Sequence, residues 1–127
     1  MNYYMKITPE FGRGLYAGTD MRAQMLLFTA ELLVLSPEDT VKVNDTGLKF
    51  YLYNYDNTRD CMVLGDGELF NHSDTPNIGY KIMDYADHEV MVFYTLRPIE
   101  LGEQLFIDYG ADAKIDIKEY MNKNLMG

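Results

Sequence analysis

Short runs of apolar and β-branched residues, each ended by a turn signal, most constrain the fold of this chain. The longest apolar stretch covers residues 25–35, and the charged Glu31 divides it. It is too short to cross a bilayer, which takes about 20 apolar residues as a helix. The sequence instead predicts two strands of a meander there, Met25–Phe28 and Leu32–Leu35, ended by the polar turn at Ser36.

Strands are also predicted elsewhere along the chain. Tyr4–Thr8 alternates and then meets a proline, which limits it to a sheet edge or a strand end. Leu48–Tyr53 is aromatic and extended, and Ile78–Tyr85 with Glu89–Arg97 predicts a hairpin. The second arm of that hairpin is apolar on both faces, so we expect it to be well covered.

Helical periodicity is confined to the C-terminal segment, where apolar residues recur at i, i+3, i+4 and i+8. These residues are Ile117, Tyr120, Met121 and Leu125. The predicted fold class is therefore mostly β, with one short C-terminal helix.

Composition and charge exclude several classes of protein. The chain has 127 residues, 47% of them hydrophobic, which suffices for one domain with a core and excludes a disordered chain. Its net charge of −9 argues against direct binding to nucleic acid, which needs clustered Lys and Arg. We also expect no association with a membrane.

Cysteine content and the N-terminus bear on localisation. The lone Cys61 cannot form an internal disulfide, and the first residues lack the basic and apolar regions of a signal peptide. We therefore expect an intracellular protein, cytoplasmic in a bacterium, with the nucleus as the alternative for a viral or eukaryotic source.

A two-part pattern carries the functional information. Asn71-His72-Ser73 leads into Pro76-Asn77, and about thirty residues later a Gly-Glu-x-Leu strand ends in Asp108-Tyr109-Gly110. In this order and at this separation the two halves resemble the SET-domain protein lysine methyltransferases. The resemblance covers about residues 7–110.

The resemblance implies a fold and a domain organisation. The chain is similar to the compact SET-only proteins of bacteria and viruses. It should form the SET-domain, or β-clip, fold: several short antiparallel sheets with a threaded, pseudoknot-like C-terminal strand and a short C-terminal helix. We expect a single domain over residues 1–127, with a core at about 7–110 and a helical segment at 111–127.

The same resemblance implies S-adenosyl-L-methionine as the methyl donor and no metal. The cofactor-binding residues carried over are Gly12, Arg13, Gly14, Asn71 and His72. A Gly-x-Gly turn lets backbone N–H groups approach a carboxylate closely, because no Cβ intervenes. Ser73 is expected to support the turn, and Asn77 to fix its packing against the terminal strand.

Tyr109 is the predicted catalytic residue. By the resemblance its hydroxyl lies at the end of a narrow channel and orients the lysine nitrogen for methyl transfer. Tyr51 matches a position that lines this channel, and Tyr16 is a second candidate. For both of these tyrosines, ordinary core packing is an equally good interpretation.

The chain departs from the family pattern at several positions. Gln24 stands where the family usually has Gly, and Asp74 stands where it frequently has Cys. No Cys-rich flank is present to bind zinc, and Tyr109-Gly110 is not followed by the aromatic residue that often stacks on the adenine. The C-terminal helix is the expected substitute.

The expected partner is a basic, histone-like protein or peptide substrate, because an acidic surface attracts basic chains at long range. A homodimer is compatible with the sequence but not determined by it. Two alternatives remain open. The chain could be a catalytically silent SET module that binds a peptide or partner protein, or an unrelated all-β binding domain.

Other catalytic and metal-binding interpretations fail on spacing. Adjacent His72 and Ser73 lack the Gly-x-Ser-x-Gly elbow of a hydrolase. A metal site from His72, Asp74 and His88 has no recognised ligand spacing. The loop at 56–60 does not fit a calcium hand, since a cysteine stands where glycine belongs.

Overall fold

The structure, a computed structural model, describes residues 2–109, which fall into two compact units. The described residues of the first unit are 2–32 and 63–108, and those of the second unit are 33–62 and 109. The predicted C-terminal helix lies outside the described residues. In chain order the elements are β1 (Tyr3–Thr8), β2 (Gly12–Ala17), β3 (Leu26–Val34), α1 (Pro37–Asn44), a 3₁₀ turn (Gly47–Tyr51), β4 (Leu52–Asn54), β5 (Asp60–Val63), a second 3₁₀ turn (Gly65–Glu68), β6 (Asn71–His72), β7 (Ile78–Tyr85), β8 (His88–Thr95) and β9 (Gln104–Ile107).

The predicted mostly-β class with a threaded terminal strand is confirmed in the first unit. One sheet there has the order β1-β2-β9-β6, with β1 at the edge as its following proline predicts. β9 runs antiparallel to β2 but parallel to β6, so that His72 lies opposite Ile107. β9 is thus inserted between β2 and β6, which precede it by very different distances along the chain.

Asn77 ties the loop after β6 to β9. Its side chain is 2% exposed; Nδ2 donates to the Gln104 carbonyl and Oδ1 accepts from the Phe106 N–H, each at 2.8 Å. A buried amide with both ends bonded to one strand fixes how that strand packs. The expected role of Asn77 is confirmed.

The second sheet of this unit pairs β3 with β8 and β8 with β7, all antiparallel. The predicted hairpin of β7 and β8 is confirmed, and four of the eight residues of β8 are buried. The predicted division of residues 25–35 into two strands is wrong, since β3 is continuous. Glu31 does not break it, because its exposed carboxylate reaches solvent and contacts His88 Nε2 at 3.0 Å.

Thr95 closes the turn that leads into β3. Its buried hydroxyl donates to the Arg22 carbonyl at 2.6 Å and accepts from the Met25 N–H at 2.8 Å. Gln24 within this turn has a φ of 58°, the left-handed region that favours glycine. The turn therefore has the conformation for which glycine is suited, although the residue differs.

An aromatic cluster forms much of the core of the first unit. The rings of Phe28, Phe70 and Phe93 have centroids 4.9 to 5.8 Å apart, the spacing of favourable ring pairs. Gly67 is buried against this cluster. A Cβ at that position would overlap a methyl group of Val63 and lie 3.2 Å from two ring atoms of Phe93.

Replacing Gly67 by Ala is therefore expected to destabilise the protein by about 1–2 kcal/mol, the cost of overpacking a filled core. The matched control is Gly47→Ala, because nothing lies within 4 Å of a Cβ at Gly47. Urea unfolding of both variants measures the difference. Equal stability of the two would show that the core accommodates the methyl group.

Glu68, one residue further on, has a shifted pKa. Burial raises the pKa of Glu68 from 4.5 to about 7, although the Val63 N–H donates to Oε1 at 2.9 Å and favours the ionised form. Between these pH values the folded chain holds a proton that the unfolded chain has released. The protonated Glu68 carboxyl therefore makes its whole contribution to the free energy of unfolding below about pH 4.5. That contribution is lost as the pH rises through about 7.

Glu68→Gln should remove this pH dependence, because Gln keeps the acceptor oxygen and resembles the protonated carboxyl. Relative to that variant, the parent should lose about 1 kcal/mol of unfolding free energy between about pH 4.5 and pH 8, a value reduced for partial exposure to solvent. Urea unfolding at both pH values tests this. The same change in both proteins would contradict a raised pKa.

In the second unit, residues Pro37–Asn44 form α1, which the hydrophobic pattern of the sequence does not predict. Ser36 caps it: Oγ accepts from the Asp39 N–H at 3.1 Å, Pro37 starts the helix, and acidic residues occupy the first turn. The prediction of a simple turn at Ser36 was wrong, because this eight-residue helix buries no side chain and so has no apolar periodicity.

The predicted strand Leu48–Tyr53 is wrong over most of its length. The Thr46 hydroxyl accepts from the Leu48 N–H at 3.2 Å and starts the first 3₁₀ turn, so extended structure begins only at Leu52. From there β4 pairs with β5 as an antiparallel hairpin. An initiating side-chain cap thus overrides the aromatic, strand-like composition.

Candidate active site

The candidate site is built around the pairing of β6 with β9. Asn71 lies opposite Phe106, and His72 opposite Ile107, in a parallel register. Ser73 continues this register, since its N–H donates to the Ile107 carbonyl at 2.9 Å. Its hydroxyl accepts from the Thr75 N–H at 3.0 Å, which confirms the expected support of the turn.

Both N–H groups of the Asn71 side-chain amide donate hydrogen bonds. Its Nδ2 donates to the Arg13 carbonyl at 3.0 Å and to Gln104 Oε1 at 2.8 Å. These bonds join β6 to β2 and to β9. Of the predicted cofactor residues, the structure thus brings Asn71 together with Arg13, whose contribution here is its backbone oxygen.

Gly14 leaves room for this arrangement. A Cβ there would lie 2.8 Å from Asn71 Nδ2 and 2.7 Å from Gln104 Oε1, closer than real Cβ contacts occur. A side chain at position 14 would therefore displace the Asn71 and Gln104 side chains from this arrangement. Gly12 differs: its φ of 68° is in the left-handed region, and open space surrounds the position of its Cβ.

His72 is oriented by the residue that replaces the family's frequent Cys. Its Nε2 lies 2.9 Å from Asp74 Oδ1, and the His72 side chain is 9% exposed while that of Asp74 is 54% exposed. The carboxylate thereby holds a largely buried ring from the solvent side.

The chain leaves β9 towards Tyr109 through an anchored peptide. The Tyr80 hydroxyl, from β7, donates to the Asp108 carbonyl at 2.8 Å. Tyr109 is half-buried and follows Asp108 directly. Tyr80 is not among the predicted site residues, and in a chain with 11 tyrosines nothing in the sequence marks it.

The two predicted channel residues lie in different units. Tyr16 is 7% exposed, and its ring is stacked on Tyr4 at 5.9 Å with the Lys6 ammonium 5.4 Å from its centroid. Tyr51 ends the first 3₁₀ turn of the second unit and is 49% exposed. Channel lining by either tyrosine stays a prediction.

Metal ligands and membrane spans are absent from the described part of the chain. Within residues 2–109, no three His, Cys, Asp or Glu side chains are grouped to hold a metal ion. Over the same residues, no helix combines the length and apolarity needed to span a membrane.

The sequence matches the model of the SET domain family over residues 12–110, most of the chain. The chain belongs to the SET domain family. A histone-lysine N-methyltransferase of Schizosaccharomyces pombe, specific for H3 lysine-37, is 33% identical over 104 residues, 81% of this chain and 69% of that protein. The trithorax histone-lysine N-methyltransferase of Drosophila virilis is 30% identical over 105 residues; they cover 77% of this chain and 3% of trithorax.

Solved structures agree on the fold of this SET domain. A crystal structure of a candidate histone methyltransferase from Plasmodium falciparum has a TM-score of 0.68 at 23% identity, covering 86% of this chain and 93% of that one. The predicted family and fold, and with them the assignment to the protein lysine methyltransferases, are confirmed. The particular likeness to bacterial and viral proteins stays a prediction.

Proposed function

We propose that this SET domain transfers methyl groups from S-adenosyl-L-methionine to lysine side chains of a basic, possibly histone-like, protein. The observation that carries the proposal is the pairing of Asn71-His72 with the strand that leads into Tyr109, His72 lying opposite Ile107. We further propose that residues 1–127 form a single SET domain and that the protein is intracellular.

Asn71 and Gly12 fit the amino-acid end of S-adenosylmethionine. No described residue donates to Asn71 Oδ1, and among described residues every buried side-chain polar atom has a partner, so this unpaired oxygen is accessible. It suits an ammonium group. At Gly12 the absence of a Cβ leaves open backbone for a carboxylate. When bound, the cofactor supplies a methyl group activated by a sulfonium.

Tyr109 would act on the lysine nitrogen. An ordinary lysine is uncharged in about one copy in a few thousand at pH 7, and only the neutral amine has a lone pair to attack with. Apolar walls favour that neutral form by desolvation, a role proposed for Tyr51 and Tyr16. The Tyr109 hydroxyl then holds the nitrogen in line, and alignment of this kind can contribute about 7–11 kcal/mol.

Calorimetric titration with S-adenosylmethionine tests the proposal against a silent module. An active enzyme must bind the methyl donor, whereas a module that only recognises a peptide need not retain that site. Saturable one-to-one binding is expected. Absence of binding by a folded protein would reject the proposed activity and favour the silent module.

The charge of the chain makes a prediction about substrate encounter. At a net charge of −9, kcat/KM on a basic peptide should fall as salt rises, because the Debye length shrinks from about 10 Å at 0.1 M to about 3 Å at 1 M. The value of kcat should change little. Steady-state kinetics on basic and neutral peptides of equal length measure this. A salt-independent kcat/KM, or faster turnover of the neutral peptide, would contradict steering.

A further inference from the structure

Gln104 is held in place by main-chain contacts on two sides. It lies opposite Tyr16 in the register of β2 with β9, and its carbonyl accepts from Asn77 Nδ2 at 2.8 Å. Its side chain extends from this fixed backbone to Asn71, where Oε1 accepts from Nδ2 at 2.8 Å. The Gly-Glu-x-Leu pattern leaves this position variable, so the sequence gives Gln104 no role.

The contact determines which way the Asn71 amide points. Both hydrogens on Nδ2 have acceptors, Arg13 O and Gln104 Oε1. Turning the Asn71 amide over would place Oδ1 against the Arg13 carbonyl oxygen, which cannot donate, and would keep the bond to Gln104 only if the Gln104 amide turned over as well. Gln104 and the Arg13 carbonyl therefore direct Oδ1 away from themselves.

Gly14 shows that the arrangement is closely packed. Its missing Cβ leaves the space that Asn71 Nδ2 and Gln104 Oε1 occupy. Residues from three strands thus define one orientation of one amide, and a single accessible acceptor oxygen results.

We propose that Gln104 is a positioning residue for the cofactor: it orients Asn71 so that Oδ1 accepts from the ammonium group of S-adenosylmethionine. This inference rests on the proposed function. Gln104 itself need not touch the cofactor. Together with the Arg13 carbonyl, it disfavours the Asn71 orientation that would present N–H donors to a cation.

Two substitutions separate positioning from bulk. Gln104→Leu removes the acceptor and should weaken S-adenosylmethionine binding by about 5- to 20-fold, the scale of one lost hydrogen bond. Gln104→Glu keeps an acceptor and should bind at least as tightly as the parent. In an Asn71→Ala background, Gln104→Leu should change the affinity by less than about 2-fold, because the group it positions is gone.

Calorimetry measures these affinities, and side-chain amide NMR of the cofactor-free protein gives an independent readout. The Asn71 amide resonances should shift in Gln104→Leu and stay near their parent positions in Gln104→Glu. If Gln104→Leu does not fold, Gln104→Met, similar in length and without the acceptor, takes its place.

The outcomes separate the two proposals. A parent that binds S-adenosylmethionine, with Gln104→Leu or Gln104→Met binding equally well, overturns the positioning role alone. A parent that does not bind overturns the proposed function and the cofactor-directed part of this inference. Unchanged Asn71 resonances in Gln104→Leu or Gln104→Met would overturn the orientation itself.

Discussion

Tyr109→Phe should lower turnover by about 100-fold or more while fold and cofactor affinity remain those of the parent. The substitution keeps the ring and removes one hydroxyl, and loss of one transition-state hydrogen bond costs a factor on this scale. Single-turnover methylation of a basic peptide measures the rate, and calorimetry measures S-adenosylmethionine affinity.

Two further variants give this result its meaning. Tyr85→Phe is the matched control, since Tyr85 is 63% exposed at the end of β7 and should tolerate the change. Tyr51→Phe tests the competing assignment. A large loss in Tyr51→Phe together with a nearly normal Tyr109→Phe would move the catalytic role to Tyr51.

Asn71→Ala should weaken S-adenosylmethionine binding by about 1–3 kcal/mol, roughly 5- to 150-fold in Kd. The substitution removes the acceptor proposed for the ammonium group and leaves the Gln104 side chain without its donor. Calorimetric titration gives the affinity, and thermal unfolding shows whether the fold survives.

Asn44→Ala is the matched control for this prediction. Asn44 is also an asparagine whose Nδ2 donates twice, to the Thr40 carbonyl and to Asp60 Oδ2, each at 2.8 Å, but it lies at the end of α1. Its replacement should leave cofactor affinity unchanged. Equal affinity of Asn71→Ala and the parent would show that the β6 segment does not bind the cofactor.

Hydrophobic patterns in the sequence predicted the β7–β8 hairpin correctly but failed at capped turns and at a solvent-facing charge. The hairpin of β7 and β8 follows from its apolar and β-branched composition, and it formed as predicted. By contrast, Ser36 and Thr46 start helical turns through single side-chain bonds, which hydrophobic periodicity does not register. Glu31 was mistaken for a strand break because sequence alone does not show that its side chain faces solvent.

The candidate site was predictable as residue types but not as contacts. The two-part motif identified the adjacent residues Asn71 and His72 and, 37 residues after His72, Tyr109. The bonds of Asn71 to Arg13 and Gln104 depend on β9 lying between β2 and β6, a non-local arrangement. Tyr80 escaped notice for the same reason, since its partner is a backbone carbonyl 28 residues away.

Mass spectrometry of methyl transfer tests the central claim most directly. The protein would be incubated with S-adenosylmethionine carrying a deuterated methyl group and a panel of basic proteins, with Tyr109→Phe in parallel. Labelled methyl groups should appear on lysine side chains with the parent and should be about 100-fold slower to appear with the variant. A parent that binds the cofactor but labels no lysine, or labels it at the rate of Tyr109→Phe, would contradict the account.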